Sequence, residues 1–138
     1  MGRVLSIDYG KKRTGIAVTD PLKIIANGLT TVETSTLMDF LNDYLKKESV
    51  ERIVVGWPRQ ANGEDSENMK RIRPFVQRIS KLWPNVPVEL FDERYTSVLA
   101  HQTILASGIG KKARQNKALV DEISATIILQ GWMEAHRL

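Results

Sequence analysis

The opening segment, Arg3–Val18, constrains the fold of this chain more than any other. In it an apolar run ends in Asp8, a glycine turn follows, and a second apolar run returns. Val4–Asp8 suits a buried strand, and Gly10 marks a tight reversal into a second strand at Thr14–Thr19. Asp8 would then stand at the carboxyl end of a core strand, where ligands collect in α/β proteins. Aspartate also favours turns for backbone reasons, so the hairpin alone leaves both interpretations of Asp8 open.

The rest of the chain predicts three more strands and four helices. Strands are expected at Ile24–Val32, with a bulge at Asn27-Gly28, at Glu51–Gly56 and at Val86–Phe91. Helices are expected from a Ser35 or Thr36 cap to Leu45, from Ser66 to Ile79 with a kink or break at Pro74, from Thr96 or Ser97 to Ala106, and from Ala118 to Ala135. This order predicts one α/β domain over residues 1–138. Its mixed five-stranded sheet would have an antiparallel first half, a parallel second half and helices on both faces.

Composition narrows the class of protein. With 138 residues and 42% apolar content, the chain is large enough for one well-packed core. The absence of cysteine excludes disulfides and thiolate metal sites. No apolar run approaches the ~20 residues that span a membrane, and no signal-peptide pattern is present. We therefore expect a cytoplasmic protein with no membrane partner.

The positive charge is concentrated in two segments. The net charge is only +4, which by itself fits an ordinary basic surface. However, Lys11, Lys12 and Arg13 fill the first hairpin, and a glycine-containing segment at Ser107–Lys117, predicted to be mobile, carries a second set: Lys111, Lys112, Arg114 and Lys117. Basic segments beside acid-bearing elements indicate an anionic polymer, such as nucleic acid, as the partner.

Acidic residues recur where elements end. Asp92 and Glu93 follow the fifth strand, and Asp121 lies on the apolar face of the last helix, with Glu122 turned about 100° towards solvent. Each has an ordinary structural explanation, but parallel pairing would bring them to the same sheet edge as Asp8. Because clustered carboxylates repel one another, such a group favours a divalent cation, and oxygen-only ligands favour Mg²⁺ or Mn²⁺. Two such ions about 4 Å apart can support phosphodiester hydrolysis.

Four motifs resemble one known family along nearly the whole chain. They are Asp8–Ala17, Gly56–Pro58 with Gly63 downstream, Asp92–Ser97 and Asp121–Gln130. Together they are similar to the YqgF (RuvX-like) family of Holliday junction resolvases and nucleases that mature the 5′ end of the small-subunit ribosomal RNA precursor. The resemblance implies a ribonuclease H-like fold with an acidic, metal-dependent site.

The resemblance also implies roles for individual residues. Asp8, Glu93 and Asp121 match the catalytic and metal-binding acids, and Asp92 is a further candidate ligand. The charge pattern, rather than the resemblance, supplies the candidate nucleic-acid contacts: Lys11, Lys12, Arg13, Arg94, Lys111, Lys112, Arg114 and Lys117. For Arg94 an ion pair with a neighbouring acid is an equal alternative.

Several functions remain open from the sequence. The first is a metal-dependent nuclease that processes the 5′ end of pre-16S rRNA. The second is a resolvase of branched DNA, and the third is a ribosome-assembly factor that binds nucleic acid without cutting it. An actin-like phosphotransferase would need a second lobe, for which the chain is too short. Both a monomer and a homodimer are compatible with the sequence.

Overall fold

The structure is a computed structural model that describes residues 2–57, 69–92 and 117–136. The strands are β1 (Arg3–Asp8), β2 (Arg13–Thr19), β3 (Ala26–Glu33), β4 (Val50–Trp57) and β5 (Val88–Asp92). The helices are α1 (Leu37–Lys47), which follows a 3₁₀ turn at Thr34–Thr36, α2 (Met69–Leu82) and α3 (Lys117–Ala135). The helix expected at Thr96–Ala106 lies outside the described residues. α2 continues through Pro74 as one helix, so the expected break is absent there.

The strands form one sheet in the order β3-β2-β1-β4-β5. β1, β2 and β3 pair antiparallel, whereas β4 pairs parallel with both β1 and β5. The mixed sheet expected from the sequence is therefore confirmed. The expected bulge is also present: the β2–β3 register shifts between Ile16 and Ala17, which pair with Thr30 and Gly28 and leave Leu29 as the extra residue.

Alternation along the strands gives the sheet two apolar faces. Leu5, Ile7 and their neighbours pack with α1 and α2 in one core, whereas Val4, Ala17 and Val54 pack with α3 in a second. Helices therefore cover both faces, as the sequence predicted. None of the described helices is long and apolar enough to cross a lipid bilayer.

Candidate acidic site at the carboxyl end of the central strand

Asp8 ends the central strand on the face that α3 covers. Val4 and Ser6 precede it at two-residue spacing, and Val4 belongs to the core under α3. The intervening residues, Leu5 and Ile7, belong to the core on the other face. The hydrophobic pattern of β1 therefore fixes the side to which the Asp8 carboxylate points.

Two contacts hold α3 close to this end of β1. The buried hydroxyl of Ser6 donates a hydrogen bond of 2.6 Å to the carbonyl oxygen of Ala125, one helical turn beyond Asp121. Gly15 pairs with Asp8 across β1 and β2, and the backbone of Asp121 lies directly over Gly15. Because Gly15 has no side chain, the helix backbone can lie against the strand, which brings Asp121 to the neighbourhood of Asp8.

The proximity of these two acids is visible in the electrostatics of Asp8. Burial, and then the negative charge of Asp121, raise the pKa of the Asp8 carboxyl from 3.8 to about 6. Asp8 and Asp121 come from opposite ends of the chain, yet the charge of Asp121 acts on Asp8. The structure thus brings together two of the acids that the sequence singled out.

Arg13 neutralises part of this charge. Its Nε donates to Oδ2 of Asp121 at 2.9 Å, and the side chains of Arg13 and Asp121 are 38% and 25% exposed. The sequence predicted a phosphate contact for Arg13, which stays a prediction. In the structure its partner is a carboxylate of the acidic site itself, a contact that no local sequence pattern indicates.

The sheet places Asp92 on the opposite face from Asp8. Asp92 pairs in register with Trp57, and Trp57 and Leu90 both pack against the core under α1 and α2. Phe91, the residue between Leu90 and Asp92, packs in the core under α3. Asp92 therefore belongs to the far side of the sheet from Asp8 and Asp121, and Glu93 lies outside the described residues.

The remaining site candidates are distributed as follows. Lys11 and Lys12 are exposed at the tip of the β1–β2 hairpin. Lys117 begins α3, but its side chain is not among the described parts of the structure. Four further candidates lie outside the described residues altogether: Arg94, Lys111, Lys112 and Arg114. Glu122 does not simply face solvent as expected: it is half-buried, and its side chain packs over Gly28 of β3.

Sequence reasoning overlooked the charge on α2. This helix carries Lys70, Arg71, Arg73, Arg78 and Lys81 and no acid. The apolar stripe of α2 identified it as a core helix, and the cations between the apolar positions were not considered. Their concentration on one exposed surface was the signal that could have revealed a third basic region.

The acidic site offers oxygen ligands to a metal ion. Within residues 2–57, 69–92 and 117–136, no cluster of three or more His, Asp or Glu side chains has the geometry of a complete metal site. Asp8 and Asp121 supply two carboxylates whose mutual repulsion a divalent cation would relieve. The described residues therefore fit part of a Mg²⁺ or Mn²⁺ site.

Fold and site together define an α/β protein of the ribonuclease H-like class: a mixed five-stranded sheet, helices on both faces and an acid pair at the end of the central strand. The chain belongs to the RuvX family, whose model, described as Holliday junction resolvase, matches residues 2–135.

Relatives are similar along their entire lengths. A Bacteroides fragilis protein named "Putative pre-16S rRNA nuclease" is 64% identical over 100% of both chains. Proteins with the same name from Phocaeicola vulgatus and Flavobacterium johnsoniae are 64% and 56% identical, each over 99% of both chains.

Proposed function

We propose that this chain is a divalent-metal-dependent nuclease that hydrolyses phosphodiester bonds and processes the 5′ end of pre-16S rRNA. The observation that carries the proposal is the juxtaposition of Asp8 and Asp121: burial, and then the charge of Asp121, raise the pKa of Asp8. The names of the full-length relatives support the substrate. A nuclease of ribosomal RNA precursors would work in the cytoplasm, where the sequence led us to expect this protein.

Asp8, Asp121 and Glu93 are the proposed ligands of Mg²⁺ or Mn²⁺. Because Asp92 belongs to the opposite face of the sheet, the register favours Glu93 over Asp92 as the third ligand. When bound, the cation would activate a water molecule and stabilise the oxygen that leaves phosphorus. Asp8, at the end of the most central strand, would be held rigidly by the sheet, and Asp121 by the Ser6–Ala125 hydrogen bond on α3.

The basic residues around the acid pair would position the nucleic-acid backbone. Lys11 and Lys12 are exposed next to the site, where they can neutralise phosphate charge. Arg13 would serve both the acid pair and phosphate binding. Its guanidinium already contacts Asp121 and lies beside the place where a phosphate would sit. Arg94, Lys111, Lys112, Arg114 and Lys117 are proposed as further backbone contacts on the strength of the sequence pattern.

Cleavage assays with matched acid-to-amide variants test this function. The purified chain is incubated with Mg²⁺ or Mn²⁺ and an rRNA fragment that carries the 5′ extension of 16S rRNA, and the ends of the products are mapped. Asp8→Asn and Asp121→Asn should abolish cleavage, whereas Asp43→Asn, which removes the same charge from the exposed face of α1, should not. Cleavage that persists in both site variants would show that the acid pair is not the catalytic centre.

Resolution of branched DNA is the second candidate, because the family model that matches the chain is described as Holliday junction resolvase. A four-way DNA junction in the same assay separates the two functions. Symmetric cuts in the junction, together with a dimer in solution, would favour the resolvase. Binding of either nucleic acid without any metal-dependent cleavage would instead identify an assembly factor.

A further inference from the structure

A cavity of about 330 Å³ lies on the α1/α2 face of the sheet, on the opposite side from the acid pair. Tyr9, the 3₁₀ turn, the start of α1 and one side of α2 line it, and it is open to solvent. Its volume falls within the range of small-molecule and nucleotide sites. None of the functions discussed above uses this cavity.

Aromatic and apolar side chains form one part of its lining. The ring of Tyr9 stacks on Phe75 with the ring centroids 4.6 Å apart, and Met38 lies on the α1 side. Phe75 is only 6% exposed and belongs to the core under α1 and α2, so it holds the ring of the half-buried Tyr9 in place. A fixed aromatic ring at the wall of a cavity is a surface on which a nucleic-acid base can stack.

Two arginines form another part of the lining. Arg71 and Arg78 are two turns apart on α2, so both project from the same side of the helix. Both side chains are exposed, and neither forms an ion pair with another residue in the described part of the chain. Guanidinium groups that have no acidic partner among the described residues and lie beside an aromatic ring match the charge and shape of a nucleotide phosphate.

The cavity shares its sheet edge with the acidic site. Asp8 ends β1 on the α3 face, whereas the next residue, Tyr9, packs against the core under α1 and α2 on the other face. Thr34, which lines the cavity, is tied to the same hairpin: its hydroxyl donates to the carbonyl of Gly10 at 2.6 Å, and its backbone N–H donates to that of Lys12 at 2.9 Å. One rigid hairpin therefore holds both the acid pair and the wall of the cavity.

We propose that this cavity binds one nucleotide of a single-stranded RNA substrate, close to the phosphate that is cut. The base stacks on Tyr9, and Arg71 and Arg78 hold the phosphate. A strand that crosses the edge of the sheet reaches Asp8 on one side and the cavity on the other. This inference rests on the proposed nuclease function and adds to it a subsite that selects an unpaired nucleotide.

Binding measured without divalent cations tests the subsite separately from catalysis. The affinity of a short fluorescent single-stranded RNA is measured in the presence of a chelator for the wild-type chain, Arg71→Ala, Arg78→Ala and Lys81→Ala. Lys81→Ala is the matched control. It removes one positive charge from the last turn of the same helix, and Lys81 does not line the cavity. We expect each arginine variant to bind about tenfold more weakly and Lys81→Ala to change affinity less than twofold. Equal losses in all three variants would overturn the proposal, since they indicate only non-specific attraction to a basic helix.

Variants of Tyr9 test the stacking contact. Tyr9→Leu should weaken binding about tenfold, and Tyr9→Trp should retain it, because tryptophan also offers a ring face. If Tyr9→Leu fails to fold, the arginine comparison decides the matter. Strong, cavity-dependent binding with no cleavage on addition of Mg²⁺ or Mn²⁺ would contradict the nuclease function but support the subsite. Cleavage with an unchanged KM in Arg71→Ala and Arg78→Ala would support the nuclease function but contradict the subsite.

Discussion

The backbone of Asp121 lies so close to Gly15 that a methyl group on Gly15 would overlap the Asp121 carbonyl. Gly15 pairs with Asp8 in the sheet, so the same contact sets the separation of the two acids. Gly15→Ala should push α3 away from β2, lower the free energy of unfolding by about 2 kcal/mol and reduce activity. Urea denaturation and the cleavage assay measure the two effects.

Gly28→Ala is the control for that variant. A methyl group there would meet the side chain of Glu122, which can rotate away, rather than a helix backbone. It should therefore cost much less stability and leave cleavage intact. Similar losses at Gly15 and Gly28 would show that close packing of the helix backbone on Gly15 has no special part in the site.

Neutralising Arg13 should strengthen metal binding. Its guanidinium occupies one oxygen of Asp121 at 2.9 Å and adds positive charge where a cation would bind. An ion pair this exposed contributes up to about 1 kcal/mol, so Arg13→Gln should bind Mn²⁺ roughly two- to fivefold more tightly. Calorimetry with Mn²⁺ gives the affinity, and Lys12→Gln, which removes the same charge from the exposed hairpin tip, should have a smaller effect. Weaker Mn²⁺ binding by Arg13→Gln would mean that Arg13 organises the site rather than competing for it.

The raised pKa of Asp8 predicts a pH-dependent stability. In the unfolded chain Asp8 has its ordinary pKa of 3.8, and in the folded chain a pKa of about 6. The folded state therefore holds this proton more tightly, and its stability falls as the pH rises from about 4 to 6. Asp8→Asn removes this loss, so with a chelator present it should be more stable than the wild-type chain by on the order of 3 kcal/mol at pH 7.

Thermal unfolding of both chains at several pH values checks this prediction. The difference in stability should grow between pH 4 and 6 and then level off. Mg²⁺ or Mn²⁺ should stabilise the wild-type chain at pH 7 and not the variant, because the cation favours the charged carboxylate. A difference in stability that is independent of pH would indicate that folding does not raise the pKa of Asp8.

Removing the hydroxyl of Ser6 should loosen α3. Ser6→Ala leaves the carbonyl of Ala125 without its 2.6 Å hydrogen bond in a fully buried position. We expect the free energy of unfolding to fall by about 2 kcal/mol. Thr36→Ala deletes a comparable hydroxyl-to-carbonyl bond to Glu33 on the exposed surface and should cost well under half as much. Equal effects in urea denaturation would contradict a special role for Ser6.

Local patterns predicted most of the fold. Alternating apolar residues predicted the strands, and the expected bulge occurred beside Gly28, with Leu29 as the extra residue. The start of α1 was less accurate, because a 3₁₀ turn precedes it and the Thr36 hydroxyl donates to the Glu33 carbonyl instead of capping the helix.

Three long-range details could not be predicted from the sequence. The Arg13–Asp121 pair joins residues 108 positions apart, and no local spacing reveals it. The face that Asp92 occupies depends on its register with Trp57. Glu122 was expected in solvent, but α3 lies across β2 and β3, which brings its side chain onto Gly28.

The hydrogen bond between Ser6 and Ala125 joins residues 119 positions apart, which has a consequence for the chain during its translation. The five strands that the structure describes all precede residue 93, whereas α3, which brings Asp121 to Asp8, is translated after them. A nascent chain on the ribosome therefore holds Asp8 without its partner, and its Val4, Ala17 and Val54 lack their cover from α3. On the proposed mechanism such a chain would not cut the RNA around it, and early termination would leave an inert, aggregation-prone fragment.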